Sequence, residues 1–125
     1  MRRKAKKILS ILLAAAMAVA ILPPITARAA SDPANYIFDV SEGSIIINDA
    51  GSSNLNVTYG TPSTTTAAFP NTQNITIIGS TMVNTVTVSP GVTANITLSG
   101  ASIDVSGVSD YACAFNMTGA TVSLT

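Results

Sequence analysis

The sequence contains no histidine and no tryptophan, and its only cysteine is Cys113. No Lys or Arg follows Arg28. Without histidine, and with one cysteine, the chain cannot build an ordinary zinc site or an intramolecular disulfide. After Arg28 nothing can neutralise phosphates, so nucleic acid is a poor partner. We therefore predict a non-enzymatic chain without catalytic, cofactor-binding or metal-ligating residues.

Residues 1–29 have the three parts of a secretory signal peptide. A cationic segment, 1–7, precedes the apolar run 8–22, which Pro23 ends. That run is shorter than the roughly 20 residues of a transmembrane helix, so we expect only transient membrane contact during export. Ala27 and Ala29 supply the small residues at the −3 and −1 positions. The pattern predicts cleavage after Ala29 and a secreted or cell-surface bacterial protein.

From residue 30 onward the composition is typical of strands. Six acidic and no basic residues give this part a side-chain charge of −6, and Ser, Thr and Asn make up 37 of its 96 residues. Its apolar set has nine Val and nine Ile against three Leu. β-Branched residues suit a pleated surface better than a helix. Short alternating runs recur, such as 55–59 and 86–88, without a helical apolar stripe, so we predict an all-β chain.

A repeat with a period of about 20 residues makes the fold prediction more specific. The segment 74–81 aligns with 95–102, and a shortened third copy follows at 116–121. The segments 100–105 and 119–124 also match. This period fits the coils of a parallel, right-handed β-helix, in which equivalent Ile and Val residues stack from coil to coil. The alternative is an immunoglobulin-like β-sandwich, which has similar short strands but does not require a repeat.

These patterns divide the chain into three parts. Residues 1–29 are the signal peptide, and 30–70 form an N-terminal β segment or cap with a linker at 60–70. Residues 71–125 hold the solenoid repeats. The strand pattern at 121–125 ends without a cap, which would expose unpaired backbone groups. We therefore expect the solenoid to continue beyond the C-terminus of this sequence.

The signal peptide, the short β segment and the Asn-Ile-Thr repeats at 74–76 and 95–97 together resemble a known group. They are similar to the N-terminal region of large secreted surface proteins of Gram-positive, clostridial-type bacteria. The segments 84–88, 92–98 and 112–116 share this resemblance, which extends to right-handed β-helix domains, some of them carbohydrate-binding. It implies a structural or adhesive extracellular function, with an extracellular glycan or cell-wall polysaccharide as partner. The alternative is the N-terminal, non-catalytic part of a polysaccharide-degrading β-helix enzyme.

Few side chains offer chemistry for a ligand. Tyr36, Tyr59 and Tyr111 are candidate aromatic platforms for a sugar, but they are far apart in sequence, so we expect them to pack in the core or a cap. Asp104 and Asp110 are the only neighbouring acids in the repeat region, and we expect both to be solvated rather than catalytic.

The remaining distinctive residues are given structural interpretations. Cys113 lies in a short apolar run, and we expect it to be buried as a small hydrophobic residue. Four Asn-x-Thr triplets match the N-glycosylation sequon, beginning at Asn56, Asn74, Asn95 and Asn116. With a bacterial-type signal peptide, we interpret these triplets as part of the repeat.

Overall fold

The computed structural model describes residues 30–125. The predicted signal peptide and its cleavage-site residues, Ala27 and Ala29, lie outside the described residues. Within them the fold is all-β, as predicted, with a short 3-10 helix at Pro33–Asn35 and no α-helix. This part of the chain contains no helix with the length and hydropathy needed to cross a bilayer.

The strands are short and follow one another closely along the chain. They are β1 (Ile37–Asp39), β2 (Ile45–Gly51), β3 (Asn54–Tyr59), β4 (Thr64–Thr65), β5 (Phe69–Pro70), β6 (Asn74–Ile78), β7 (Ser80–Thr81), β8 (Val86–Val88), β9 (Thr93–Leu98), β10 (Ser102–Ile103), β11 (Phe115–Asn116) and β12 (Thr121–Leu124). Three sheets contain all of them.

The first sheet is entirely parallel, in the order β1, β6, β9, β12. Asn74 of β6 lies opposite Asn95 of β9, and Ile75 lies opposite Ile96. The spacing predicted from the first two repeats is therefore confirmed as the register of this strand pair. Matched positions in the sequence are neighbours in space, which is why the same residue types recur there.

The other two sheets also join consecutive segments of the chain. In the second, β7 and β10 are parallel, with Ser80 opposite Ser102. In the third, β11, β8 and β2 are parallel neighbours, and β2 also pairs with β3 in an antiparallel hairpin. The consecutive strands β6, β7 and β8 therefore belong to the first, second and third sheets, and β9, β10 and β11 repeat this order. Although their sequences match, 100–105 and 119–124 are not structurally equivalent, because β10 and β12 belong to different sheets.

The third copy of the repeat pairs differently from its sequence alignment. Asn116 lies opposite Thr87 in the third sheet. The residue of β12 that lies opposite Asn95 is instead Ser123. The cause is the loop 104–114 between β10 and β11, which makes the step from Asn95 to Ser123 longer than the step from Asn74 to Asn95. The predicted equivalence of Asn116 with Asn95 is therefore wrong.

Alternating side chains of the strands form the core between the sheets. In β6 and β9 the buried residues are Ile75, Ile77, Ala94 and Ile96, and the Asn and Thr residues between them point outward. Burying a Val or Ile side chain stabilises the folded state by about 1.5–3 kcal/mol. The predicted stacking of Ile on Ile is seen directly in the β6–β9 pair.

The segment 60–70, which we expected to be a linker, contributes two strands to the third sheet. Both β4 and β5 pair antiparallel with β3, with Thr65 opposite Thr58 and Phe69 opposite Leu55. Phe69 is 5% exposed and belongs to the core. The buried Phe69 ring thus packs the segment 60–70 against β3.

Candidate functional site

A groove of about 430 Å³ lies where the 3-10 helix meets β3 and the segment 64–69. This volume is in the range of small-molecule sites, about 300–1,000 Å³. The lining residues carry neither a carboxylate nor an amine; they are Pro33, Ala34, Tyr36, Tyr59, Thr64, Thr65, Thr66, Ala67, Ala68 and Phe69. Aromatic rings and hydroxyl groups are therefore the chemistry that the groove offers.

The aromatic wall is formed by rings from three separate segments. The ring centroids of Tyr36 and Phe69 are 4.6 Å apart with their planes at 44°, and Tyr59 meets Phe38 edge-on at 5.1 Å. Such tilted geometries are favourable for aromatic pairs. Tyr36 and Tyr59 are half-buried, so each ring packs on the core while it also lines the groove.

The three candidate tyrosines have two different outcomes. The expected packing is confirmed for Tyr36 and Tyr59, which the fold also brings to one groove. It is wrong for Tyr111, which is 96% exposed in the loop between β10 and β11 and lies outside this groove. Sequence reasoning missed Phe69. The feature that could have indicated it is the isolated aromatic residue after a run of Thr and Ala.

Tyr36 has a backbone conformation that is uncommon for a residue other than glycine. Its φ and ψ are 57° and 35°, in the left-handed region, where it caps the 3-10 helix. Its N–H donates to the Pro33 carbonyl at 3.3 Å, and its carbonyl accepts from the Thr76 N–H at 2.9 Å. For an L-residue with a side chain this region costs roughly 1–2 kcal/mol, which the surrounding contacts offset.

The hydroxyl wall comes from the threonines that pack on β3. The Oγ1 atoms of Thr65 and Thr58 are 2.8 Å apart, and Thr66 Oγ1 accepts from the Val57 N–H at 3.0 Å. A threonine hydroxyl that accepts a hydrogen bond still has its own hydrogen to donate. Thr64 lies opposite Tyr59 in the β3–β4 pair and is exposed, so it shares the face of that ring, whereas Thr65 lies opposite Thr58.

The acidic residues form no site in the described part of the chain. Asp104 and Asp110 are both exposed, as predicted. The Ser106 side chain, and next its backbone N–H, lower the pKa of Asp104 below the ordinary value of 3.8. Within residues 30–125, no three His, Cys, Asp or Glu side chains are close enough together to hold a metal ion.

Asp39 is a buried acid that sequence reasoning did not single out. It is 2% exposed, and its Oδ1 accepts hydrogen bonds from the backbone N–H and the hydroxyl of Ser41. An Asp that bonds the backbone two residues ahead forms an Asx turn. A Cβ on Gly79 would overlap the same oxygen, so the carboxylate fits only against a glycine. Asp39 therefore fixes the turn after β1.

Cys113 does not have the environment that we expected. It is exposed, and its Sγ donates a hydrogen bond to the Phe115 carbonyl at 3.2 Å. The prediction of a buried residue is wrong because the loop 104–114, apart from the buried Val105, is exposed or only partly buried, although it contains several apolar residues.

Comparison with known proteins adds no relative from which a site could be transferred. No family model, curated protein or solved structure matches the chain. The candidate site is consequently defined by its own geometry: a groove lined by aromatic rings, threonines and small apolar residues.

Proposed function

We propose that this chain is a β-solenoid segment of a secreted bacterial surface protein, with a structural or adhesive function and a glycan as its ligand. The pairing of successive units supports the solenoid over the sandwich. The strands β6, β7 and β8 run parallel to β9, β10 and β11, one pair in each sheet. An immunoglobulin-like sandwich is built from antiparallel strands, which within residues 30–125 pair only in the β2–β5 region.

The outer surface of the sheets is consistent with an extracellular structural role. Most outward residues on β6 and β9 are Asn and Thr, and Thr97 Oγ1 donates to Asn74 Oδ1 across the strands at 3.2 Å. On the third sheet Ser89 Oγ donates to Asn48 Oδ1 at 2.8 Å. Such uncharged polar contacts are insensitive to salt, in contrast to ion pairs between exposed side chains.

The observation that carries glycan binding is the groove between Tyr36, Tyr59 and the threonines. A sugar ring has apolar C–H faces and a rim of hydroxyl groups. Ligand sites typically combine aromatic lining with a few polar groups that fix orientation. The groove has both, and neither its lining nor the sequence after Arg28 supplies a Lys or Arg to recognise phosphate, so a glycan fits better than a nucleotide.

A glycan array probed with the full chain, produced in a secreting bacterial host, tests this function. We expect saturable binding to one or more extracellular or cell-wall glycans. The matched variant has Tyr36 and Tyr59 both changed to Leu, because leucine retains apolar packing without a flat ring. We expect this variant to bind the same glycans more weakly than the parent. Absence of binding to every glycan on the array would contradict the proposed ligand.

Export is tested separately by N-terminal sequencing of the chain recovered from the culture medium. We expect a product that begins at Ala30. An Ala27→Asp, Ala29→Asp variant should remain unprocessed, because signal peptidase needs small residues at these positions. Recovery of intact chain only from the cytoplasm would contradict a secreted surface protein.

A further inference from the structure

We propose that the groove binds an uncharged pyranose ring against Tyr36, so that the protein selects neutral over acidic glycans. This inference rests on the glycan-binding function proposed above and names the substrate class and the main contact residue. Three features of the groove support it: its charge, its aromatic wall and the backbone conformation of Tyr36.

The charge of the protein disfavours an acidic sugar. The part of the chain after residue 29 has six carboxylates and no Lys or Arg, and the groove lining is uncharged. A uronate or sulfate group would enter a field of its own sign. It would also lose water without gaining an ionic partner, which is costly for a charged group. A neutral sugar ring is subject neither to this repulsion nor to this desolvation cost.

The walls match the two kinds of surface on a neutral pyranose. The Tyr36 and Phe69 rings, 4.6 Å apart, give an apolar wall for the C–H face. Thr64 also lines the groove and is exposed, and a threonine hydroxyl can both donate and accept. A sugar hydroxyl also donates and accepts, so the two partners are complementary without any charge.

The backbone of Tyr36 points to a role for its side chain in binding. At φ 57° a glycine or asparagine would be less strained than tyrosine. Unfavourable conformations of this kind occur preferentially at binding sites. Tyr36 also lines the groove, so this unfavourable conformation occurs at the candidate binding site itself.

Calorimetry on the full, secreted chain tests the selectivity. The neutral probes are cellotetraose and chitotetraose, and the acidic probe is tetragalacturonate. We expect a neutral probe to bind at least about tenfold more tightly than tetragalacturonate at low salt, which corresponds to about 1.4 kcal/mol. The difference should shrink as salt screens the charges. Equal or tighter binding of tetragalacturonate would overturn the inference.

Substitutions in the groove test the role of Tyr36. Tyr36→Asn removes the ring but suits the left-handed backbone, and we expect binding of the neutral probe to weaken about three- to tenfold, as for loss of an aromatic contact. Tyr111→Ala should bind as the parent does, since Tyr111 lies outside the groove. Unchanged binding by folded Tyr36→Asn would overturn the assignment.

Ala67→Lys provides a second variant if Tyr36→Asn fails to fold. Ala67 is exposed on the groove wall, so the lysine adds a cation without disturbing the core. We expect it to increase tetragalacturonate affinity by at least about fivefold. No change would overturn the placement of the ligand. If neutral probes bind but respond to none of these variants, the groove assignment fails while glycan binding stands; if no glycan binds, both fail.

Discussion

Residues 36–98 and residues 99–125 both contribute strands to parallel pairs but differ in how much apolar surface they bury. In the first region the buried hydrophobic residues extend continuously from Phe38 to Ile96. In the second region Val105 is the buried hydrophobic residue, and Tyr111 and Leu124 are 96% and 48% exposed. Parallel pairing can therefore continue along the chain after the dense core has ended.

The difference has a cause in the position of the strands. The strands β6 and β9 have a neighbour on both sides in the first sheet, whereas β12 pairs with β9 alone. Its Val122 is only partly buried, because no further strand of the described chain covers it. Regions with few buried contacts open at lower free energy than the core. We expect residues 99–125 to need residues 36–98 in order to stay folded, whereas residues 36–98 should stay folded when residues 99–125 open.

Two glycine substitutions should give the largest contrast between the regions. Gly79 and Gly100 both have positive φ, at 89° and 67°. A Cβ on Gly79 would overlap Asp39 Oδ1, whereas nothing lies within 4 Å of a Cβ on Gly100. Gly100→Ala should cost the conformational strain alone, about 1–2 kcal/mol. Gly79→Ala adds an overlap in a packed site, which costs typically about 1–3 kcal/mol more, for a total of about 2–5 kcal/mol.

Urea denaturation of the two glycine variants, followed by circular dichroism, measures this contrast. A double variant, Gly79→Ala with Asp39→Ser, should recover part of the stability, because the shorter side chain leaves room for the new methyl group. If Gly79→Ala were no less stable than Gly100→Ala, the close contact between Asp39 and Gly79 would be refuted.

A pair of valines gives a smaller contrast with the same chemical change. Val88 of β8 is 1% exposed, and Val122 of β12 is only partly buried. Val88→Ala removes two buried carbon atoms and leaves a cavity, so its free energy of unfolding should fall by about 2–3 kcal/mol. Val122→Ala should cost less than about 1 kcal/mol, because its side chain is already partly in water. Similar losses in both variants would mean that the second region is as tightly packed as the first.

The sequence was sufficient to predict features that depend on local periodicity. Alternating Ile and Val predicted the strands, and the repeat of Asn74 at Asn95 predicted the register of one strand pair. These features follow from the period-2 geometry of a strand and from like residues stacking. They concern mainly the first region, where the period is regular.

Features that depend on distant segments could not be predicted. The loop 104–114 lengthens the last repeat, so Asn116 keeps the sequence motif but loses the structural position. The groove requires Tyr36, Tyr59 and Phe69 to meet across segments that have no shared sequence pattern. The burial of Asp39 likewise depends on Gly79, which is distant along the chain, and no local signal indicates that contact.

The smallest expected effect is a pH dependence confined to the second region. The Ser106 side chain and its backbone N–H, which donates to Asp104 Oδ1 at 3.0 Å, hold the pKa of Asp104 below 3.8. A carboxylate with a lowered folded-state pKa stabilises the fold above its ordinary pKa, and that stabilisation is lost as the pH falls through the folded-state value. Because Asp104 is exposed, the loss should loosen the turn at 104–106 and leave the first region unchanged.

In a titration followed by nuclear magnetic resonance, the Ser106 amide signal should shift with a midpoint below pH 3.8, and the amides of β6 should not follow it. A midpoint at or above that value would mean that the turn does not stabilise the ionised carboxylate, and a shift shared by β6 would mean that the two regions open together.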